Sequence, residues 1–314
     1  MKQNRQGLGG YRAIEAFFKV QRWTSILLLL LSPLLFSCSP SLHNDRIVVG
    51  SKNFTESLIL GELLAQEIEA HSQLKVERRF YLAGTYICQQ AMLAGRIDIY
   101  PEYTGTALTA ILKQQVGGNK QQVYERVKRE YESRFGLTLG PPFGFNDSFA
   151  LEIRGVDARR LGLKTLSQAA AYAPRWRAGF GYEFMERPDG YAGLAAVYGL
   201  HFAAPPRVMD LGLLAPALKA RQIDIAAGNT TDGLVPALDL FVLEDDRHYF
   251  PPYEAVAVIR QLMLQQHPQV AQAVADLAGK ISDQEMQKLN YALDGQRLDV
   301  KDVAREFLRS KGLL

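Results

Sequence analysis

From residue 46 to the last residue, apolar positions follow two alternating rhythms. Short runs rich in β-branched residues predict buried strands, and apolar residues three or four apart predict helices with one inward face. On this reading strands cover residues 46–50, 74–82, 97–100, 150–154, 177–180, 208–211, 223–225, 238–243 and 255–260. Helices cover 56–70, 86–94, 107–113, 121–135, 166–172, 191–198, 215–220, 268–277, 283–291 and 301–311. In the first helix Leu60, Leu64 and Ile68 share a face. Ser167 is the expected cap of the helix over 166–172. Pro101 is expected to end the third strand, because proline brings no N–H to a sheet ladder. Strands alternating with helices predict an α/β protein with mostly parallel sheets.

One phrase occurs twice. Arg96-Ile97-Asp98-Ile99-Tyr100-Pro101-Glu102-Tyr103-Thr104 aligns without gaps to Gln222-Ile223-Asp224-Ile225-Ala226-Ala227-Gly228-Asn229-Thr230. Each copy follows a helical run and leads into a polar turn. Two such units suggest two lobes with a ligand between them; the alternative is two ordinary turns that share an Ile-Asp-Ile strand. Tyr103, Thr104 and Thr106 stand at the carboxyl end of their strand, where open α/β sheets bind ligands. Breaks over 141–149 and 249–253, rich in proline and aromatic residues, precede the extended runs at 150–154 and 255–260. They predict two crossings, near 146–150 and 252–256. The first lobe is then discontinuous (46–147 with 254–314) and the second continuous (148–253). Such a clamshell closes on its ligand by hinge motion. The last helix is expected to wrap back onto the first lobe.

Composition adds little, but its distribution matters. The 314 residues are 47% hydrophobic and 22% charged, ordinary for one large or two modest globular domains. Residues 1–23 carry Lys2, Arg5, Arg12, Lys19 and Arg22 against Glu15, a net of +4. Taking that +4 from the chain total of +3 leaves −1, which argues against nucleic acid as a partner. Residues 24–36 are uncharged and mostly apolar. Thirteen residues fall short of the roughly 20 needed to cross a bilayer, so residues 1–37 read as a secretory signal. Leu35-Phe36-Ser37-Cys38 resembles a bacterial lipobox, with Phe36 bulkier than usual. That predicts a lipid on Cys38, a membrane anchor and a polar tether over 38–45. The alternative is a soluble exported protein cut near Cys38. After processing Cys88 is the remaining thiol beyond the anchor, in an apolar helix, and reads as core.

Candidate chemistry is that of binding. Lys52 lies at a strand's carboxyl end beside a helix start, a corner that favours anions. There is no Walker-type loop, no Cys-x-x-Cys and no nucleophile-elbow motif. The five histidines (His43, His71, His201, His248, His267) do not pair at metal-ligand spacing. No catalytic residue, cofactor or metal is therefore assigned, although an enzyme is the competing class, since fold does not fix function.

Six phrases carry a family resemblance in order: Ser51-Lys52-Asn53-Phe54-Thr55-Glu56; residues 97–106; Phe145-Asn146-Asp147-Ser148-Phe149-Ala150; residues 183–190; Thr230-Thr231-Asp232-Gly233; and residues 243–253. Over residues 46–314 the chain resembles the substrate-binding proteins of osmoprotectant ABC importers, the quaternary-amine branch that takes up glycine betaine, choline and carnitine. The resemblance implies a two-lobed class II periplasmic-binding-protein fold. It also implies a monomer that delivers its ligand to a permease, with the ATP used by a separate ATPase subunit. A quaternary ammonium has no N–H to donate, so ring faces grip it by cation–π attraction, about 0.5–2 kcal/mol each. Carried over by position, Tyr103 and Tyr253 match cage rings. Phe149 and Asn229 stand where tyrosines are usual, which implies weaker betaine binding or a larger ligand such as carnitine or ergothioneine. Tyr182 and Tyr191 are the alternatives for the missing rings, and the sequence does not choose between them. Lys52, Thr106 and Arg187 match positions for the ligand's polar end, an arginine suiting a carboxylate's two oxygens. Asp147 matches a carboxylate near the cage. A ligand-sensing receptor would share the same binding chemistry.

Overall fold

A computed structural model describes residues 46–115 and 118–314. The secretory signal, Cys38 and the tether lie outside the described residues. Among the described residues ten strands form two five-stranded sheets. The first contains β1 (Arg46–Gly50), β2 (Lys75–Arg79), β3 (Ile99–Tyr103), β4 (Leu137–Leu139) and β10 (Ala255–Arg260), in the order β2-β1-β3-β10-β4. The second contains β5 (Phe149–Arg154), β6 (Ala178–Phe180), β7 (Arg207–Val208), β8 (Ile225–Asn229) and β9 (Leu240–Leu243), in the order β7-β6-β8-β5-β9. The orders are equivalent position for position. In each sheet four strands share a direction. The one that follows a crossing, β10 or β5, runs antiparallel to both its neighbours. The sheets are thus mixed, each with one reversed strand.

The first sheet is covered by α1 (Thr55–His71), α2 (Thr85–Leu93) and α3 (Lys120–Phe135). The second is flanked by α4 (Tyr191–Tyr198) and α5 (Leu211–Lys219). Then α6 (Gln269–Asp276), α7 (Asp283–Asp294) and α8 (Val300–Ser310) return to the first lobe. There Ala304, Phe307 and Leu308 of α8 share one core with Ile59, Leu63 and Leu64 of α1. The two crossings lie side by side: Asn146 bridges Glu254 antiparallel, Asp147 N donates to Tyr253 O at 3.1 Å, and Tyr253 N donates to Asn146 Oδ1 at 2.7 Å.

Pro101 does not end its strand. It sits in the middle of β3, opposite Ala257. Thr104 N bonds Glu254 O at 3.0 Å, so N–H groups of the same parity face β10 and position 101 faces the other way. On that side β1 pairs with β3 only at Val49–Ile99, so Pro101 deprives no ladder of a donor. The following helix begins at Thr104 rather than 107 and widens into a π-type turn over Ala107–Ile111. The helix at 166 is capped by Thr165, whose hydroxyl and Gln168 form a capping box, not by Ser167. The expected strand at 208–211 shortens to Arg207–Val208. Asp210 Oδ1 there caps α5 by accepting from Gly212 N at 3.0 Å, and the helix starts earlier than 215.

Candidate functional site

The exits of β1, β3 and β8 and the two crossings converge between the sheets. They bring the residues singled out from the sequence into one connected set. Lys52, just past β1, is 3% exposed. Its Nζ forms an ion pair with Glu102 of β3, donates to Thr85 Oγ1 at 3.0 Å, and lies 4.9 Å from the centre of the Tyr103 ring. The Phe54 ring stacks on Tyr103 at 6.3 Å, with Lys52 Nζ 5.8 Å from its centre. Lys52 is therefore a cation already matched by an internal carboxylate and seated on two ring faces.

A second cation occupies a second group of rings. Arg187 is buried, donates from Nε to Asp189 Oδ1 at 2.9 Å and from Nη2 to Oδ2 at 2.5 Å. Its guanidinium lies 4.6 Å from the Phe149 ring centre and 5.9 Å from that of Tyr253. The Tyr253 hydroxyl donates to Asp189 Oδ2 at 2.5 Å, so one carboxylate holds both the cation and the ring. Burial opposes the charge on Arg187, but Asp189 outweighs it and lifts the guanidinium pKa above its ordinary value. Burial likewise raises Asp189, and Arg187 returns it to below the usual carboxylate range. Of the guanidinium's five donors, the Nη1 edge is the part that Asp189 does not take. Thr106 is buried in the turn beneath. At Gly105 beside it a Cβ would meet Pro252 O at 2.6 Å and Tyr253 Cδ1 at 2.7 Å, so only glycine lets the ring lie this close.

The remaining residues form a carboxyl network between the lobes. The Tyr103 hydroxyl donates to Glu56 Oε1 at 2.7 Å, and Asn290 Nδ2 donates to Oε2 at 2.9 Å. Thr231 Oγ1 lies 2.6 Å from Glu56 Oε2 and 2.7 Å from Asp147 Oδ1. Asn229 Nδ2 donates to Asp147 Oδ2 at 2.7 Å. A hydroxyl has one proton, so it cannot donate to both carboxyls. One of Glu56 and Asp147 must itself be protonated and donate to Thr231. The electrostatics agree. Burial pushes Glu56 up to about 7, and burial with the neighbouring Glu56 raises Asp147 well above its ordinary value. Behind them Glu152 and Asp232 face each other, both raised first by burial, Asp232 to about 6.

Tyr103, Phe149 and Tyr253 thus lie in or against one core, with Phe250 6.0 Å and Phe184 5.0 Å from Phe149. Neither alternative tyrosine joins them. Tyr182 is 63% exposed, and Tyr191 packs on Phe180 and Phe202 within the second lobe. Asn229 supplies an amide where a ring was expected, and that amide is committed to Asp147. Sequence reasoning missed Glu56, Phe54, Thr231 and Asn290. Glu56, Phe54 and Thr231 stand in the phrases already singled out, whereas Asn290 had no signal apart from its place in a predicted helix. The lobes touch elsewhere too: the Glu183 carboxylate lies against Gly84 at the start of α2, where an added Cβ would meet its Oε1 at 2.0 Å unless that side chain swung away.

With this geometry in hand, comparison with known proteins is informative. Residues 45–310 match the model of the OpuAC family, the substrate binding domain of ABC-type glycine betaine transport systems. The carnitine transport binding protein OpuCC of Listeria monocytogenes is 38% identical, over 91% of this chain and 94% of that protein. The ergothioneine transport permease/ergothioneine binding protein EgtU of Helicobacter pylori is 33% identical over 92% of this chain, which spans about half (52%) of that longer protein. A crystal structure of a glycine betaine/carnitine/choline ABC transporter superposes with a TM-score of 0.71 at 32% identity, covering 85% of this chain and 99% of that one. Two mixed sheets with two crossings, matched along nearly their whole length, carry one conclusion: the chain belongs to the family of substrate-binding domains of ABC-type glycine betaine transport systems.

Proposed function

We propose that this protein captures a quaternary-ammonium compatible solute of the glycine betaine, carnitine and choline class between its lobes and delivers it to an ABC permease. It performs no chemistry of its own; hydrolysis of ATP belongs to another subunit. The observation that carries this reading is the set of rings around Arg187. Phe149 and Tyr253 stand at the junction of the lobes, each with one π face turned to Arg187 and the other left for a solute cation, and the guanidinium keeps one donor edge for an anion. A solute with a methylated cation at one end and a carboxylate at the other uses both features. That favours betaines over choline, which has no carboxylate. Lys52 serves the same end indirectly, by fixing the Tyr103 ring.

Asn229 favours a second reading within the same class. It removes a ring from the cage and places an amide beside Asp147, which suits a larger betaine with a polar group, as the ergothioneine-binding relative suggests. We take the lobes to be 46–147 with 254–314, and 148–253, hinged at the paired crossings. A signal over 1–37 and a lipid on Cys38 would hold this monomer at the outer face of a membrane. Among the described residues no helix is long and apolar enough to cross one.

Calorimetric titration against glycine betaine, carnitine, choline and ergothioneine tests both readings. One carboxylate-bearing ligand should bind, and Arg187→Ala should weaken it at least about a hundredfold, the cost of losing a buried charge-assisted contact. Nanomolar glycine betaine would refute the idea of a weakened cage. Silence towards all four would remove the assignment.

A further inference from the structure

Far from the cleft, the C-terminal end of α1 carries Glu67 and His71. They are four residues apart and so on one face of the helix. Eleven residues separate Glu67 from Glu56, about 16 Å along the axis. Asp276, the last residue of α6, comes up beside them. One ligand atom from each of Glu67, His71 and Asp276 lies within 4.8 Å of the others.

Glu67 is 0% exposed, yet neither of its oxygens receives a hydrogen bond. His71 Nε2 stands 3.0 Å from Oε1, within ion-pair distance. The same Nε2 lies 3.4 Å from the Leu313 carbonyl oxygen. A buried carboxylate whose near partner is a single, half-exposed imidazole remains costly to ionise, and coordinating a cation offsets that cost. We propose that Glu67, His71 and Asp276 bind a divalent first-row metal ion such as Zn²⁺, tying α1 to α6 at the rear of the first lobe.

The donor set fits. Imidazole nitrogen and carboxylate oxygens are ordinary zinc ligands at about 2.0–2.2 Å, which places donors on one ion about 3–4 Å apart. The widest separation, up to 4.8 Å, needs to close by about 1–2 Å, within the reach of side-chain rotation. Asp276 is half-buried; Gln272 Nε2 donates to its Oδ1 at 2.7 Å and leaves Oδ2 for the metal. His71 is exposed at its outer edge, giving the ion an entry path, and water completes a four-coordinate shell. The site touches none of the ring and carboxyl residues of the cleft, so it is independent of the solute bound there.

The test is Zn²⁺ titration of the whole chain after dialysis against a chelator, with calorimetry and thermal melting as readouts. The expected result is one equivalent bound with a rise in Tm. In His71→Ala and in Glu67→Gln that equivalent should bind at least about a hundredfold more weakly, since each removes a direct ligand. Circular dichroism and urea midpoints of the metal-free variants establish that they are folded, and Asp276→Asn, at a half-exposed position, provides a third measurement should Glu67→Gln fail to fold. If the wild-type chain takes up no Zn²⁺, or if His71→Ala binds it as tightly as the wild type, the proposal is wrong.

Discussion

The two lobes are built on the same frame and neutralise their buried acids differently. In the first, Asp98 accepts from Val48 N at 2.9 Å and pairs with Arg260 at the end of the crossing strand at 2.8 Å. In the second, Asp224 accepts from Arg177 N at 3.0 Å and pairs with Arg154 at the equivalent place at 2.9 Å. The repeated Ile-Asp-Ile phrase is this frame. Past it the lobes diverge. Where β3 ends in Glu102 and Tyr103, β8 ends in Gly228 and Asn229; where β1 leads to Lys52, β6 leads to Gly181. The first lobe sets a lysine beside its buried Glu102. The second places Glu152 and Asp232 against Gly228, with no cation among their closest partners, and holds them by keeping a proton.

Breaking the lysine side should have the larger effect. Lys52→Met leaves Glu102 buried and unpaired, and stability should fall by about 3–5 kcal/mol, read as a lower urea midpoint. A loss below about 1 kcal/mol would overturn the assignment of this ion pair as a stabilising contact.

The first lobe also keeps a proton, on the Glu56–Asp147 pair where it meets the second, and this predicts a pH dependence of opposite sense to most acids. The folded-state pKa of Glu56, about 7, exceeds its ordinary 4.5. The folded chain therefore holds a proton that the unfolded chain releases. This contribution is fully present below pH 4.5 and is lost as pH rises through about 7, on the order of 3 kcal/mol. Urea midpoints measured from pH 5 to 8 should fall, and Glu56→Gln should flatten the slope. An unchanged slope in that variant would place the proton elsewhere.

Gly105→Ala sharpens the comparison at the rings. Its new methyl meets Tyr253 and Pro252 O, and overpacking of this kind costs about 1–3 kcal/mol. Solute affinity should drop by tenfold or more, by titration, as Tyr253 leaves its place beside Asp189. The smallest effect is expected at Glu152→Gln. Exchanging a protonated carboxyl for a neutral amide should move stability at pH 6 by less than about 1 kcal/mol, because no charge pair is broken. A large loss would show that this acid is ionised.

Most of the frame was readable because it is local. The apolar rhythm located nearly every strand, and the repeat marked two equivalent strand–turn units before either was seen. Pro101 was misread because its tolerance depends on where β1 stops, a fact of the assembled sheet. The site divides in the same way. Tyr103, Tyr253, Phe149 and Arg187 were singled out through matching phrases, and the structure places them in one connected set. Their partners were not legible. Glu102 is 50 residues from Lys52, and Thr231 is 175 from Glu56, and no sequence spacing announces such pairs. Asn229 was read as a lost ring; only the three-dimensional arrangement shows what its amide does instead.

The reversed strand β10 lies between β3 and β4, inside the first sheet rather than at its edge. While the chain emerges from the ribosome or threads through a membrane, everything up to residue 254 can be present and that sheet still has a gap. The second lobe has all five of its strands by residue 243, so it can assemble first. The amino-terminal lobe waits for a segment more than 100 residues downstream of β4, and long-range closure of this kind is slow. In a protein with this order of assembly the first sheet cannot close until residues 255–260 have been made.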